Sequence, residues 1–125
     1  LYRKLPHPEL ITQMRKADIF VSTTFADPFN TTILEAMGTQ LPIICSNFGS
    51  LKEVVQDGRN GWLLNATGRP SAEIAEDIAA HLKLIMDEPA IGHSMGLESM
   101  AIVREKFALG VRNAALTEIY DNALR

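Results

Sequence analysis

The chain has 125 residues, of which 46% are hydrophobic, which is enough for one small globular domain with a core. Its formal net charge of -3 and its scattered Lys and Arg residues exclude a basic surface for nucleic acid. No apolar run approaches the roughly 20 residues that span a bilayer. The single cysteine, Cys45, excludes an intrachain disulfide and fits a reducing compartment, so we expect a cytoplasmic protein.

Residues 1–68 alternate helix and strand signals. Apolar residues recur at helical spacing after Pro8, and short apolar runs bounded by turn residues indicate strands. The predicted elements are a helix from Pro8 to about Lys16, a short buried strand Asp18–Ser22, a helix Asn30–Thr39, a strand Leu41–Ser46, a short helix Leu51–Gln56 and a strand Trp62–Leu64. This order predicts an α/β fold with a partial Rossmann-like parallel sheet of about three strands.

Residues 69–125 carry only helical patterns and form a predicted helical tail of the same incomplete domain, 1–125. Three helices are expected: one from an N-cap at Ser71 to about Asp87, one from Ala90 to Phe107 and one from Val111 to Leu124. Their predicted inward residues are Ile74, Ile78, Leu82, Ile85, Met86, Ile91, Met95, Met100, Val103, Phe107, Ala115, Ile119 and Tyr120. We expect His81 and His93 to lie on the surface.

The predicted sheet is incomplete. The run Ile19–Val21 is apolar on both faces, which suits a central strand, whereas at a sheet edge its backbone groups would be exposed. The chain also begins at Leu1 without an initiator Met or a signal peptide. We therefore expect residues upstream of Leu1 to supply the neighbouring strands, and the isolated chain to self-associate through the exposed sheet edge.

The run from Asp27 to Met37 joins the first strand to an apolar helix and carries two carboxylates eight positions apart. In open α/β sheets, ligands bind outside the carboxyl ends of the strands, where helix N-termini present unpaired N–H groups. Asp27 can accept hydrogen bonds from sugar hydroxyls, and Glu35 can accept two hydroxyls of a ribose. This position predicts a site for a polyhydroxylated ligand that bears phosphate.

Backbone groups complete the predicted site. The N–H groups of Phe29, Asn30 and Thr31 can hold an oxyanion at the helix N-terminus. The turn Asn47–Ser50 follows the second strand at the same edge, and Gly49 in it allows close backbone approach to a ligand. The sequence shows no metal-ligand spacing, P-loop or nucleophile elbow.

Each of these residues also has a purely structural interpretation. Asp27 can be a turn or N-cap residue, and Glu35 can face solvent or pair with a Lys. Gly49 can simply be a turn glycine, and Thr31–Thr32 can cap the helix. Cys45 lies in an apolar strand and is interpreted as core packing.

Together these residues resemble a known family. The run Asp27-Pro-Phe-Asn-Thr-Thr-Ile-Leu-Glu-Ala-Met37 resembles the Glu-x7-Glu segment of retaining GT-B glycosyltransferases of the group-1 or glycogen-synthase-like type, which have two Rossmann-like domains. Residues 17–22 resemble the strand before that segment, 40–55 its Gly-Leu-Pro-Val run and Gly-Gly-Leu-Pro-Glu turn, and 57–64 the next turn and strand. Phe107 and the Tyr120 helix resemble the C-terminal end of the family.

The resemblance implies a donor site for a nucleotide diphosphate sugar in the C-terminal domain of such an enzyme. Glu35 would bind the donor ribose and Asp27 the hydroxyls of the donor sugar, which makes these two acids the candidate catalytic residues. Backbone groups at Phe29, Asn30 and Thr31 would hold the sugar or the diphosphate. The implied reaction transfers a hexose to an acceptor with retained anomeric configuration and without a metal or other cofactor.

Other parts of such an enzyme lie upstream of this chain, namely the acceptor-binding N-terminal domain and the Lys/Arg pair that neutralises the diphosphate. We therefore expect the chain alone to be inactive. The chain also departs from the family at Asp27 (usually Glu), Asn30 (Gly), Ser50 (Gly) and Lys52 (Pro). These departures leave open a non-catalytic nucleotide-sugar-binding or interaction module on the same fold. A receiver-like regulatory domain is disfavoured, because the acidic cluster and Lys that it needs are not found.

Overall fold

A computed structural model of the protein describes residues 5–24 and 30–123. Its elements are α1 (His7–Met14), β1 (Phe20–Ser22), α2 (Thr31–Gly38), β2 (Ile43–Ser46), α3 (Leu51–Val54), β3 (Gly61–Leu64), α4 (Ser71–Asp87), α5 (Pro89–Ile102), a π-helical turn (Val103–Phe107) and α6 (Leu109–Ala123). The alternation of strands and helices confirms the predicted α/β class, and most boundaries lie within a few residues of the prediction.

The strands form a parallel sheet in the order β1-β2-β3. The register pairs Phe20 with Ile43 and Cys45 with Leu63. Each connection between neighbouring strands passes through a helix, as parallel pairing requires. All three strands therefore end at the same edge of the sheet, where the predicted site lies.

The core lies against the central strand, β2, whose four residues are all buried. The core cluster consists of Met14, Ile33, Ala36, Met37, Leu41, Ile43, Cys45, Leu51, Val54, Val55 and Ile102. Cys45 is confirmed as core packing, and burial raises the pKa of its thiol to about 12. Helix α2 thus has one face fixed in the core, which holds its N-terminus in place at the edge of the sheet.

Two glycines allow backbones to approach closely. A Cβ atom on Gly61 would lie 1.9 Å from the carbonyl oxygen of Ile43 in the neighbouring strand. A Cβ atom on Gly96 of α5 would lie 2.1 Å from the carbonyl oxygen of Gln40, which follows α2 with a φ of 64°. Only glycine fits at these contacts, so they fix β3 against β2 and α5 against the end of α2.

The predicted burial of the helical tail is wrong at its end. Ala115, Ile119 and Tyr120 were expected to face inward, but every described residue of α6 is exposed, with Ile119 at 61%. Met86 was expected in the core and is 79% exposed, because α4 buries Ile85 instead. Helical periodicity predicts which residues share a face, but it does not show whether another element covers that face.

Smaller corrections concern β1 and α4. The strand β1 was expected to be buried, but Val21 is 39% exposed because β1 lies at the edge of the described sheet. Ser71 was expected to cap α4, but the helix starts at Ser71 after Pro70, without a side-chain capping bond. His81 was expected on the surface, but it is half-buried and its ring stacks on Trp62 with the centroids 4.4 Å apart.

Candidate functional site

The carboxyl ends of the strands form the rim at which the site was predicted. Pairing of Ser22 with Cys45 and of Ser46 with Leu64 places the end of β1 next to the turn after β2. Asp27 and Phe29 fall in the segment 25–29, which is outside the described residues. Their assigned roles therefore stay predictions, while Asn30, Thr31, Glu35 and Gly49 can be located.

The N-terminus of α2 is capped by Asn30. The side-chain oxygen Oδ1 of Asn30 accepts a hydrogen bond from the backbone N–H of Thr32 at 3.0 Å. Asn30, rather than Thr31 or Thr32, is therefore the capping residue. The N–H of Thr32 that it accepts from is not among the three N–H groups, of Phe29, Asn30 and Thr31, that were assigned to the ligand.

Glu35 lies in the second turn of α2, where Ala36 and Met37 are buried and the Glu35 side chain is 29% exposed. Its Oε1 atom lies 2.8 Å from Nε2 of His7, the first residue of α1. The sequence had suggested a Lys partner, so His7 was missed. The two residues are 28 positions apart and meet only because α1 packs on α2. The pair lies at the surface, since His7 is 67% exposed, and is not an internal ion pair.

The turn after β2 adds backbone groups to the rim. Gly49 has a φ of 58°, which favours glycine, so its backbone role in the turn is clear. The backbone N–H of Asn47 bonds to the carbonyl oxygen of Leu64 at 2.8 Å and ties this turn to the end of β3. Ser46 ends β2, and within the described part of the chain its buried hydroxyl has no hydrogen-bond partner.

A cation also lies at this edge, in the loop after β3. The Arg69 guanidinium bonds to Asp77 at 2.6 Å, to Glu73 at 3.3 Å and to the carbonyl oxygen of Asn65 at 3.1 Å. The hydrogen bond to Asp77 raises the pKa of Arg69, and the same bond lowers the pKa of Asp77. Arg69 is thus engaged by two carboxylates and is a poor candidate for neutralising a diphosphate.

Two cavities lie near the sheet, at opposite ends of the strands. One, of about 290 Å³, lies beside the end of β1 and is lined by Thr23, Ser71, Ile74, Ala75 and Ile78. The other, of about 360 Å³, is lined partly by Asp18, Pro42 and His93. Asp18 and Pro42 precede β1 and β2, so the second cavity lies at the amino ends, away from the predicted site.

Neither metal binding nor membrane crossing has a structural signature in the part of the chain that the structure describes. Among residues 5–24 and 30–123, no group of three His, Cys, Asp or Glu side chains is arranged to hold a metal ion. No helix within the same residues has the length and apolarity needed to cross a membrane. Metal-independent chemistry stays a prediction.

Comparison with known proteins decides the family. Residues 3–84 match the model of the family described as glycosyl transferases group 1. The chain belongs to this family of enzymes. It is 32% identical over 118 residues to a D-inositol 3-phosphate glycosyltransferase of Arthrobacter sp., and 33% identical over 121 residues to a glycogen synthase of Mycobacterium tuberculosis. These alignments cover 94% and 97% of this chain but only 26% and 28% of the relatives, so the chain spans about a quarter of their length.

Solved structures confirm the GT-B fold of this group-1 glycosyltransferase chain. Sucrose-phosphate synthase from Thermosynechococcus elongatus matches with a TM-score of 0.82 at 21% identity, over 97% of this chain and 29% of that one. Anabaena HepE in complex with UDP-glucose matches with a TM-score of 0.76 at 22% identity, over 91% and 30% of the two chains. The C-terminal domain of a group 1 glycosyl transferase (LpcC) from Francisella tularensis matches with a TM-score of 0.73 at 20% identity, over 87% of this chain and 53% of that one.

Proposed function

We propose that this chain is the donor-binding part of a retaining glycosyltransferase that transfers a hexose from a nucleotide diphosphate sugar to an acceptor. Family membership supports glycosyl transfer, and the parallel strands end at one edge of the sheet, where open α/β sheets bind their ligands. HepE, a protein of similar fold, was solved in complex with UDP-glucose, which makes a nucleotide sugar the first ligand to test. Supply of such donors in the cytoplasm favours that compartment.

Each candidate residue has a proposed role. Glu35 accepts hydrogen bonds from two ribose hydroxyls, since a carboxylate has several acceptor sites and one of its oxygens is bonded to His7. Asp27 accepts hydrogen bonds from hydroxyls of the donor sugar. The N–H groups of Phe29, Asn30 and Thr31 at the positive end of α2 hold the sugar or the diphosphate. The rim turn with Gly49 allows the backbone to approach the ligand.

Stabilising the departing nucleotide diphosphate is the main chemical need of this reaction, and fixed cations and helix N-termini meet it best. Arg69 is engaged by Asp77 and Glu73, so the cations are proposed to come from outside this chain. The acceptor is proposed to bind an N-terminal domain. The chain alone should therefore bind donor without catalysing transfer, and no metal is proposed in the reaction.

The observation that carries this proposal is the position of Glu35, half-buried in the first helix after a strand end of a group 1 glycosyltransferase. Calorimetry of the full-length protein with UDP, GDP and ADP sugars tests it. Replacing Glu35→Gln should weaken nucleotide binding about 10- to 100-fold, since charge-assisted hydrogen bonds contribute about 1.5–3 kcal/mol.

A matched control is Glu98→Gln. Glu98 lies on α5 and pairs with Arg59 at the surface, at 3.0 Å, away from the rim. That substitution should leave nucleotide affinity unchanged. Equal affinity of the Glu35→Gln variant and the unsubstituted protein would remove Glu35 from the site. Donor binding by the full-length protein without any transfer would favour the non-catalytic module instead.

A further inference from the structure

We propose that His7 is a positioning residue for Glu35 and sets the preference of the site for ribose over 2′-deoxyribose. This inference rests on the proposed function, in which Glu35 binds the ribose hydroxyls. The link is the contact of 2.8 Å between His7 Nε2 and Glu35 Oε1. His7 is outside the acidic motif, and no pattern in the sequence connects it to the site.

The chemistry of the pair fixes the direction of the hydrogen bond. An ionised carboxylate has no proton to donate, so Nε2 of His7 carries the proton and donates it to Oε1 of Glu35. This holds for the imidazole tautomer with its proton on Nε2 and for the imidazolium alike. Among the described residues no hydrogen bond reaches the second carboxylate oxygen, Oε2, and we assign its acceptor sites to the ligand.

Both partners are held by the rest of the fold. His7 starts α1 between Pro6 and Pro8, whose rings fix φ at the helix entrance, and α1 is anchored in the core by Met14. Glu35 precedes the buried residue Ala36 of α2. The packing of α1 on α2 therefore sets where the imidazole meets the carboxylate.

The pair is exposed unevenly, with His7 at 67% and Glu35 at 29%. The imidazole is thus the more exposed partner, while the carboxylate remains partly accessible. The last torsion of a Glu side chain is broad, so a carboxylate without a fixed partner samples many orientations. Fixing the carboxylate before the ligand binds removes part of the entropic cost of binding. A ribose, with two hydroxyls that bond to the oriented carboxylate, gains more from this than a 2′-deoxyribose with one.

The test compares binding of UDP and 2′-deoxy-UDP to the full-length protein, with the matching ADP and GDP pairs alongside. The unsubstituted protein should prefer the ribonucleotide by about tenfold, the effect of one charge-assisted hydrogen bond. His7→Leu removes the donor and should lower this ratio to between one and three. His7→Gln restores an N–H donor and should restore most of the ratio, which a merely structural role of the imidazole would not predict.

A matched control is His93→Leu, because His93 is also an exposed histidine but lies on α5 at the amino-end cavity. It should leave the ratio unchanged, and melting temperatures should show that all variants fold. An unchanged ratio in His7→Leu would overturn the inference, even if Glu35→Gln lost affinity as the proposed function requires. No effect of Glu35→Gln, or no nucleotide binding at all, would instead overturn the proposed function and the inference together.

Discussion

The strand β2 and the helix α6 are both rich in apolar residues, yet they have opposite surroundings. All four residues of β2 are buried, while every described residue of α6 is exposed, including Leu109, Val111, Leu116, Ile119 and Tyr120. The strand has a neighbour on each side and helices over it, whereas α6 contacts the π-helical turn that precedes it. The difference shows that apolar composition favours burial, but that a segment is buried only where neighbouring elements cover it.

In its burial, the edge strand β1 is intermediate between β2 and α6. It pairs with β2 on one side, and Val21 is partly exposed. The chain spans about a quarter of the length of its curated relatives. Self-association of the isolated chain through the β1 edge stays a prediction.

The largest expected difference is in thiol reactivity. Burial raises the pKa of Cys45 in β2 to about 12, so only about one thiol in 10,000 is ionised at pH 8. A cysteine introduced by Ile119→Cys in α6 should have an ordinary thiol and react on the order of 1,000 times faster. A colorimetric thiol reagent measures both rates. Comparable rates would show that β2 opens readily or that α6 is covered.

The next prediction compares two glycines. Gly61→Ala places a methyl group on the Ile43 carbonyl oxygen, which forces β3 away from β2, and should lower the free energy of unfolding by about 3 kcal/mol or more. The methyl group of Gly110→Ala in α6 has no described atom within 4 Å beyond its chain neighbours and its own helix backbone, so this substitution should be neutral or stabilise the protein by about 0.5–1 kcal/mol. Urea denaturation measures both. Equal effects would mean that the sheet tolerates the added methyl group.

A smaller effect is expected from two asparagines. Asn60 is fully buried and accepts a hydrogen bond from the Gln56 N–H at 2.7 Å, while its amide lies 3.4 Å from the Ser99 hydroxyl. Asn60→Ala removes the acceptor of the Gln56 N–H, while the Ser99 hydroxyl still donates to the backbone carbonyl of residue 60, and it should lower the free energy of unfolding by about 1–3 kcal/mol.

Asn122→Ala in the exposed helix α6 is the control, and it should change stability by less than about 0.5 kcal/mol. Thermal and urea unfolding of the two variants make the comparison. If Asn60→Ala lowered the free energy of unfolding only slightly, water would be replacing the missing amide. The contact between α5 and the start of β3 would then depend mainly on packing.

Much of the fold could be predicted from local patterns. Helical spacing located α2, α4 and α5, and the apolar run Leu41–Ser46 located β2, because these residues are buried by elements close to them in the chain. The exposure of α6, Met86 and Val21 could not be predicted. It depends on which elements lie nearby in space, and the spacing of apolar residues along one helix or strand contains no information about them.

The candidate site also has parts that the sequence predicts and parts that it does not. The rim, the helix start at Asn30 and the turn at Gly49 follow from strand order and residue type. The contact of His7 with Glu35 does not, because it arises from the packing of two helices whose residues are 28 positions apart. Asp27 lies outside the described residues, so its role stays a prediction from the sequence.

The stack of Trp62 on His81 has a practical consequence. Trp62 is the only tryptophan of the chain and lies on β3, while His81 belongs to α4. The fluorescence of Trp62 therefore reports on the packing of α4 against the sheet. Undocking of this helix would separate the two rings and change the emission, which gives the protein an intrinsic optical probe without any added label.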